Sequence, residues 1–190
     1  MNISKTAISE VCIIEPKVFG DNRGYFIESY NKEKFPDEYQ HIEFVQDNES
    51  KSSKGVLRGL HYQLPPFAQT KLVRVIDGSV LDVAVDIREG SPTFGKHVAV
   101  KLTGENKKQL LVPRGFAHGF VVLSETAVFS YKCDNYYSPE NDRGILFSDP
   151  DLAIDWKLDT KSLTLSDKDK MQPLLKDAVD LFDYNINLYV

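Results

Sequence analysis

Long apolar runs are missing from this chain. No stretch approaches the roughly 20 apolar residues that a membrane-spanning helix needs, and the opening MNISKTAISEVCIIEPKVFG lacks the apolar core of a signal peptide. Cysteine is scarce as well. Cys12 and Cys133 stand far apart without a CxxC or zinc-type spacing, so no disulfide framework is implied and reduced thiols are expected. Excess positive charge is also absent. The net charge of -5 argues against a general binder of nucleic acid or anionic membrane, since both need a positive field, so any anion site must be local. These absences together predict a soluble cytoplasmic protein with neither a nucleic-acid nor a membrane partner.

Several chemical signatures are missing too. The chain has no GxGxxG or P-loop, which excludes the usual dinucleotide and nucleotide-hydrolysing folds, and no GxSxG elbow for nucleophilic hydrolysis. Its four histidines, His41, His61, His97 and His118, include no HxH or HxxH pair. A metal site in a β scaffold wants two or three histidines and a carboxylate at one point, so metal chemistry fits poorly.

What is present is a large supply of core residues, 42% hydrophobic with 11% aromatic, and many short alternating segments. AISEVCIIEPKVF, GYFIESY, HIEFVQDNES, KLVRVIDGSVLDVAVDIREGSPTFGKHVAVKLT, KQLLVPRGFAHGFVVLS and TAVFSYKCDNYYS have the lengths and β-branched or aromatic content of strands. Asp77-Gly78 between two such runs is a hairpin signal. Two weakly helical places interrupt the pattern, NKEKFPDEY early and SDKDKMQPLLKDAVDLF late. No repeat or linker divides the chain, so residues 1–190 are expected to form one domain. An all-β sandwich, closed barrel or double-sheet jelly roll fits this pattern, and spacing does not choose among them.

The strands carry unexpected polar residues. In VLRGLHYQ (56–63), alternation puts His61 and Gln63 on one face and Arg58 on the other, unless a bulge at Gly59 re-aims Arg58 inward. Lys71 stands among apolar neighbours, which is uncommon for an unpaired lysine. Asp82, Ala84 and Asp86 share one strand face, either a cavity wall or a solvated outer surface. RGFAHGFVVL carries His118, and FSYKCDNYYS carries Tyr131, Lys132 and the Tyr136-Tyr137 pair. A histidine, lysine, tyrosine and carboxylates around a cavity, with arginines for an anionic ligand, are the groups of proton chemistry next to a carbonyl.

Six ordered stretches resemble the dTDP-4-dehydrorhamnose 3,5-epimerase family: EPKVFGDNRGYFIESYN, FVQDNESKSSKGVLRGLHYQ, KLVRVIDGSVLDVAVDIREGSPTFG, PRGFAHGFVVLSE, YKCDNYYSP, and LSDKD followed by PLL. The resemblance implies a cupin-type, double-stranded jelly-roll barrel with a few short helices, mainly near the C-terminus. It also implies a homodimer that uses no metal or other cofactor. The implied reaction is epimerisation at C3 and C5 of a dTDP-linked 4-keto-6-deoxy sugar in dTDP-L-rhamnose biosynthesis.

By position, the resemblance makes His61 the base, Asp169 its partner, Tyr131 the acid and Lys71 the stabiliser of the enolate oxygen. Arg23 and Arg58 correspond to pyrophosphate contacts. Phe19, Glu28, Gln46, Asn48, His118 and Lys168 correspond to substrate-lining positions, and Tyr136 is the expected aromatic against thymine or sugar. Asp167 competes with Asp169 for the histidine, and Ser166 with Asp169 also reads as a capping box at a helix start. The residues alone leave open a C3-only or C5-only epimerase, a 3,4-ketoisomerase, a non-catalytic sugar-nucleotide-binding cupin and a metal-dependent cupin oxygenase.

Overall fold

Most of the alternating segments form strands, Gln46 being the first strand residue of HIEFVQDNES, and the computed structural model describes them across residues 1–190. In chain order they are β1 (Asn2–Lys5), β2 (Cys12–Glu15), β3 (Val18–Asp21), β4 (Gly24–Ile27), β5 (Gln46–Ser53), β6 (Leu57–Gln63), β7 (Lys71–Asp77), β8 (Ser79–Asp86), β9 (Arg88–Glu89), β10 (His97–Thr103), β11 (Gln109–Val112), β12 (Phe116–Val122), β13 (Thr126–Cys133), β14 (Asp142–Gly144) and β15 (Phe182–Asp183). The helical places yield only α1 (Asp167–Lys170) and short 3-10 turns such as Asp37–Tyr39 and Leu175–Asp177. Pro36 and Pro173 lie inside the two stretches, and the missing N–H of each stops a longer helix.

β1-β2-β11-β7-β13-β5 form a six-stranded sheet, and β10-β8-β12-β6-β14 form a five-stranded one. All the pairings within these sheets are antiparallel. From β5 to β8 and again from β11 to β14, successive strands alternate between the two sheets, so the chain winds around the interior as a jelly roll. That winding corrects the reading of Asp77-Gly78. The turn joins β7 to β8, which belong to different sheets, so it is a corner rather than a hairpin. Gly78 adopts φ +80°, and a Cβ there would come within 2.1 Å of the Thr126 carbonyl oxygen.

Three apolar clusters follow from this layering. Between the sheets lie Val73, Val75, Val80, Ala84, Leu102, Phe116, Phe120 and Phe129. On the outer face of the five-stranded sheet, Leu57, Leu81, Val83, Val85 and Val121 are covered by Ile145, Leu152, Trp156, Leu175 and Phe182 from the C-terminal segment. The outer face of the six-stranded sheet packs Cys12, Ile14, Leu72 and Leu111 beneath Phe35 and Ile42. Burial on both faces explains why β12 is buried at every position although antiparallel strands commonly alternate. No helix is long and apolar enough to cross a membrane. Cys12 and Cys133 are buried and unbridged.

Trp156 fastens the C-terminal layer. It is 2% exposed and its indole N–H donates to the Phe147 carbonyl at 2.9 Å. Trp156→Ala is expected to lower stability by about 3–5 kcal/mol, read as a fall in the urea midpoint without a change in slope.

Candidate active site

β6 does not pair evenly with β12. His118 lies opposite His61 and Phe120 opposite Arg58, so β6 holds one extra residue. This bulge sits where a Cβ on Gly59 would come within 2.5 Å of the Gly119 Cα, an approach that only glycine permits. The bulge re-aims Arg58, and it lines the same cavity as His61.

That cavity, about 520 Å³, lies between the sheets. Its five-stranded wall supplies Arg58, His61, His118 and Phe120, and its six-stranded wall Ser50, Lys71, Phe129 and Tyr131. Lys168 and Asp169 close it from the C-terminal segment. A second lobe of about 320 Å³ shares His61, Lys71 and Tyr131 and adds Gln46, Asn48, Tyr137 and Asp142. An imidazole and a phenol thus come from opposing sheets to one lumen, with the lysine on the strand beside the phenol. Phe120 and Phe129 stack across the interior with centroids 4.0 Å apart, an apolar wall of this space.

His61 Nε2 lies 2.5 Å from Asp169 Oδ1. Asp169 reaches it because Thr164 pairs with Val56, drawing the following chain along β6, and because Ser166 then caps α1 by accepting the Asp169 N–H at 3.2 Å. The capping reading and the dyad reading are therefore both met by Asp169, through its backbone and its carboxylate respectively. Asp167 is excluded as the partner, since its side chain is 98% exposed and pairs with Lys170. Burial would raise the Asp169 carboxyl, but hydrogen bonding and charge from His61, with help from Ser166, outweigh it and hold the group below the ordinary aspartate range.

Burial pulls the Lys71 ammonium below the ordinary lysine range against the attraction of Asp142 and Asp82, and no side-chain hydrogen bond offsets it. Burial pushes the Tyr131 phenol up, with Arg58 pulling weakly the other way, so the phenol keeps its proton at neutral pH. Arg58 is exposed at the mouth and donates to Ser52 Oγ from both Nε and Nη2, at 3.3 and 3.2 Å.

Some expected site residues fall elsewhere. Phe19, Arg23 and Glu28 belong to the exposed β3–β4 hairpin or follow it. Phe19 and Glu28 line a surface groove, and Arg23 pairs with Asp21 in the turn. Tyr136 lines neither lobe, whereas its neighbour Tyr137 lines the second and donates its hydroxyl to Asp142 at 3.1 Å. Gln63 sets this choice from below: its amide holds the Tyr136 carbonyl at 3.1 Å and the Ser138 N–H at 2.7 Å.

Two further carboxylates stand by the site: Asp82, which the sequence left open between cavity wall and solvated face, and Asp142, which it did not single out. Asp82, fully buried, accepts from His118 Nε2 at 2.9 Å, which settles its strand face as interior. Its shared parity with Ala84 was the available signal. Asp142 binds both Lys168 and Tyr137, and nothing in the SPENDRG stretch marks it. Asp86, on the same parity as Asp82, instead ties down Arg88, Ser91 and Thr93.

The sequence profile of one family, dTDP-4-dehydrorhamnose 3,5-epimerase, matches residues 5–177. A dTDP-4-dehydrorhamnose 3,5-epimerase of Shigella flexneri is 59% identical over 170 residues, covering 89% of this chain and 93% of that protein. The fold is shared with a dTDP-6-deoxy-D-glucose-3,5-epimerase from Legionella pneumophila Philadelphia 1, solved with dTDP-4-keto-L-rhamnose: the TM-score is 0.91 at 53% identity, over 97% of this chain and 99% of that one. A dTDP-4-dehydrorhamnose 3,5-epimerase from Elizabethkingia anophelis NUHP1 gives 0.88 at 57%, over 93% and 97%.

Lys71→Met should make the protein more stable at neutral pH. With the folded pKa lowered, the unfolded chain binds the extra proton between that value and about 10.4, so wild-type stability rises with pH across this window. Below the window the penalty is constant. Denaturation curves at several pH values should therefore show the variant's advantage shrinking as alkali is approached.

Proposed function

The chain belongs to the dTDP-4-dehydrorhamnose 3,5-epimerase family, and on that premise we propose how its cavity inverts C3 and C5 of dTDP-4-dehydro-6-deoxy-D-glucose to give dTDP-4-dehydro-L-rhamnose. The C4 ketone acidifies the protons on both neighbouring carbons. His61, oriented by its hydrogen bond to Asp169, removes one of them. Negative charge moves onto the ketone oxygen, where the Lys71 ammonium receives it in a partly desolvated site that favours such pairing. Tyr131, kept protonated by burial, returns a proton to the other face, and the stereocentre inverts. Solvent takes the proton from His61 and returns one to Tyr131, and a ring flip then presents the second carbon to the same groups.

The observation that carries this reading is the placement of His61 and Tyr131 on opposing sheets around one cavity, with Lys71 beside the phenol. Arg58 at the mouth suits the diphosphate, for which a guanidinium fork is well shaped. Tyr137, exposed at the rim of the second lobe, offers a face for the thymine, and Lys168, Asn48, Gln46 and His118 line the remaining walls. A cytoplasmic location is in keeping with two unbridged cysteines.

The same reading accounts for the exposed hairpin. β3 and β4 carry Phe19, Tyr25 and Phe26 at 51%, 57% and 65% exposure, and an isolated two-stranded ribbon is marginal in water. A second copy of the chain is its partner in this proposal. The homodimer would cover these aromatics and bring Arg23, Phe19 and Glu28 to a cavity.

Turnover in deuterated water tests the chemistry. Label should enter at both C3 and C5, and His61→Asn should slow uptake at both by about 10²–10⁴-fold. Tyr131→Phe should still exchange protons but rarely invert. Label at one carbon alone would make this a single-site epimerase, and tight ligand binding without any label would make it a binding protein. For the assembly, sedimentation should show a dimer that the Phe19→Ser/Phe26→Ser double variant dissociates, with a fall in kcat/KM. A monomeric wild type of full activity would refute the partner.

A further inference from the structure

Lys71 is the first residue of β7, and its cross-strand neighbours, Val112 and Cys133, are the last residues of β11 and β13. Three strand ends therefore meet where the proposed oxyanion-stabilising group is mounted. Strand ends open easily unless their terminal groups are held. Here they are held from the side of the sheet away from the cavity, by a polar knot around Thr70, which is itself fully buried.

The Thr70 N–H donates to Asp134 Oδ1 at 2.6 Å, and the Asp134 N–H returns to the Thr70 carbonyl at 3.2 Å. Arg114 donates from Nε to Asp134 Oδ2 at 3.1 Å. The knot is completed by Tyr189. Its hydroxyl accepts the Arg114 backbone N–H at 3.2 Å and lies 2.8 Å from Thr70 Oγ1, while the Leu188 carbonyl accepts from Arg114 Nη1 at 2.6 Å. The Tyr189 ring packs against the cluster around Leu72, edge-on to His41 at 4.6 Å and beneath the Arg114 guanidinium at 4.9 Å. Each strand end sends one residue to this knot, and residues 187–190 supply the piece that closes it. Those residues lie beyond the 5–177 stretch matched by the family profile.

We infer that Tyr189 is a positioning residue: its hydroxyl, through Thr70, fixes the start of β7 and with it the direction of the Lys71 side chain. The inference rests on the role given to Lys71 above. Buried hydroxyls in such a knot are worth most where a small displacement matters, and an ammonium that must meet a developing oxyanion is such a place.

Tyr189→Phe keeps the ring and removes only the hydroxyl, and Thr70→Val removes the partner hydroxyl from the other side. Both should fold, as judged by circular dichroism, and both should lower kcat about tenfold, short of the roughly 10²-fold that a 1 Å misplacement can cost, with KM unchanged. The decisive readout is the Lys71→Met background, where label uptake is slowed about 10²–10³-fold but remains measurable over long incubation. There Tyr189→Phe should have no further effect. Wild-type kcat in both folded variants, or a loss that persists undiminished with Lys71→Met, would overturn the brace. No label uptake by the unsubstituted chain would instead remove the role of Lys71 from under it, a distinct failure.

Discussion

The hydrogen bond between His61 and Asp169 spans 108 residues of sequence, and much of the architecture exists to make it possible. α1 has four residues and no stability of its own, since isolated helices far longer than this are marginal in water. It is held in place by what precedes and follows it. Thr164 joins the edge of the chain before β6, and Trp156, Leu175 and Phe182 bury the flanking segments on the outer face of the five-stranded sheet. The C-terminal layer therefore does two jobs with one set of contacts. It closes the apolar face of the sheet, and it delivers a carboxylate to an imidazole in the interior.

The two sheets divide the chemistry between them. One wall carries both histidines, each answered by its own buried carboxylate, Asp169 for His61 and Asp82 for His118. The other wall carries the phenol and the ammonium. Because Asp169 and Asp82 are engaged by imidazoles and Asp142 by Lys168, Lys71 forms no ion pair of its own, and its desolvation is a standing cost to the fold. That cost has a counterpart in reactivity: an unpaired ammonium in a low-dielectric space is ready for a negative oxygen that appears only during reaction. Stability given up at a site of this kind is a common feature of enzymes.

Much of the fold was legible because it rests on alternation. β5 is instructive in this respect. Gln46, Asn48, Ser50 and Ser52 face inward and Asp47, Glu49 and Lys51 outward, so the strand is polar on both faces. A strand that would bury nothing apolar on either side is a poor core strand but a good cavity wall, and that pattern is visible before any coordinates. A bulge at Gly59 was one of two readings of that strand, and the uneven pairing of β6 with β12 decides for it. Less could be read where the chain leaves its strands. Tyr136 and Tyr137 are adjacent, equally aromatic and both exposed, and the choice between them is made by Gln63, whose amide grips the backbone on either side of Tyr137.

By itself the sequence determined the local periods: that most of the chain is strand, which residues share a face, and that the polar residues at 61, 71 and 131 lie on strands rather than in loops. Tertiary structure alone decided which faces look at one another. It turned Asp77-Gly78 into a corner between sheets, set Asp82 behind His118 and Asp142 in the second lobe, chose Asp169 over Asp167, and left Phe19, Arg23 and Glu28 outside this chain's own cavity. The physical reason is one of range. Side-chain alternation is set by the backbone within a few residues, whereas the meeting of two sheets depends on apolar burial summed over the whole chain, and a pattern of period two does not record its partner.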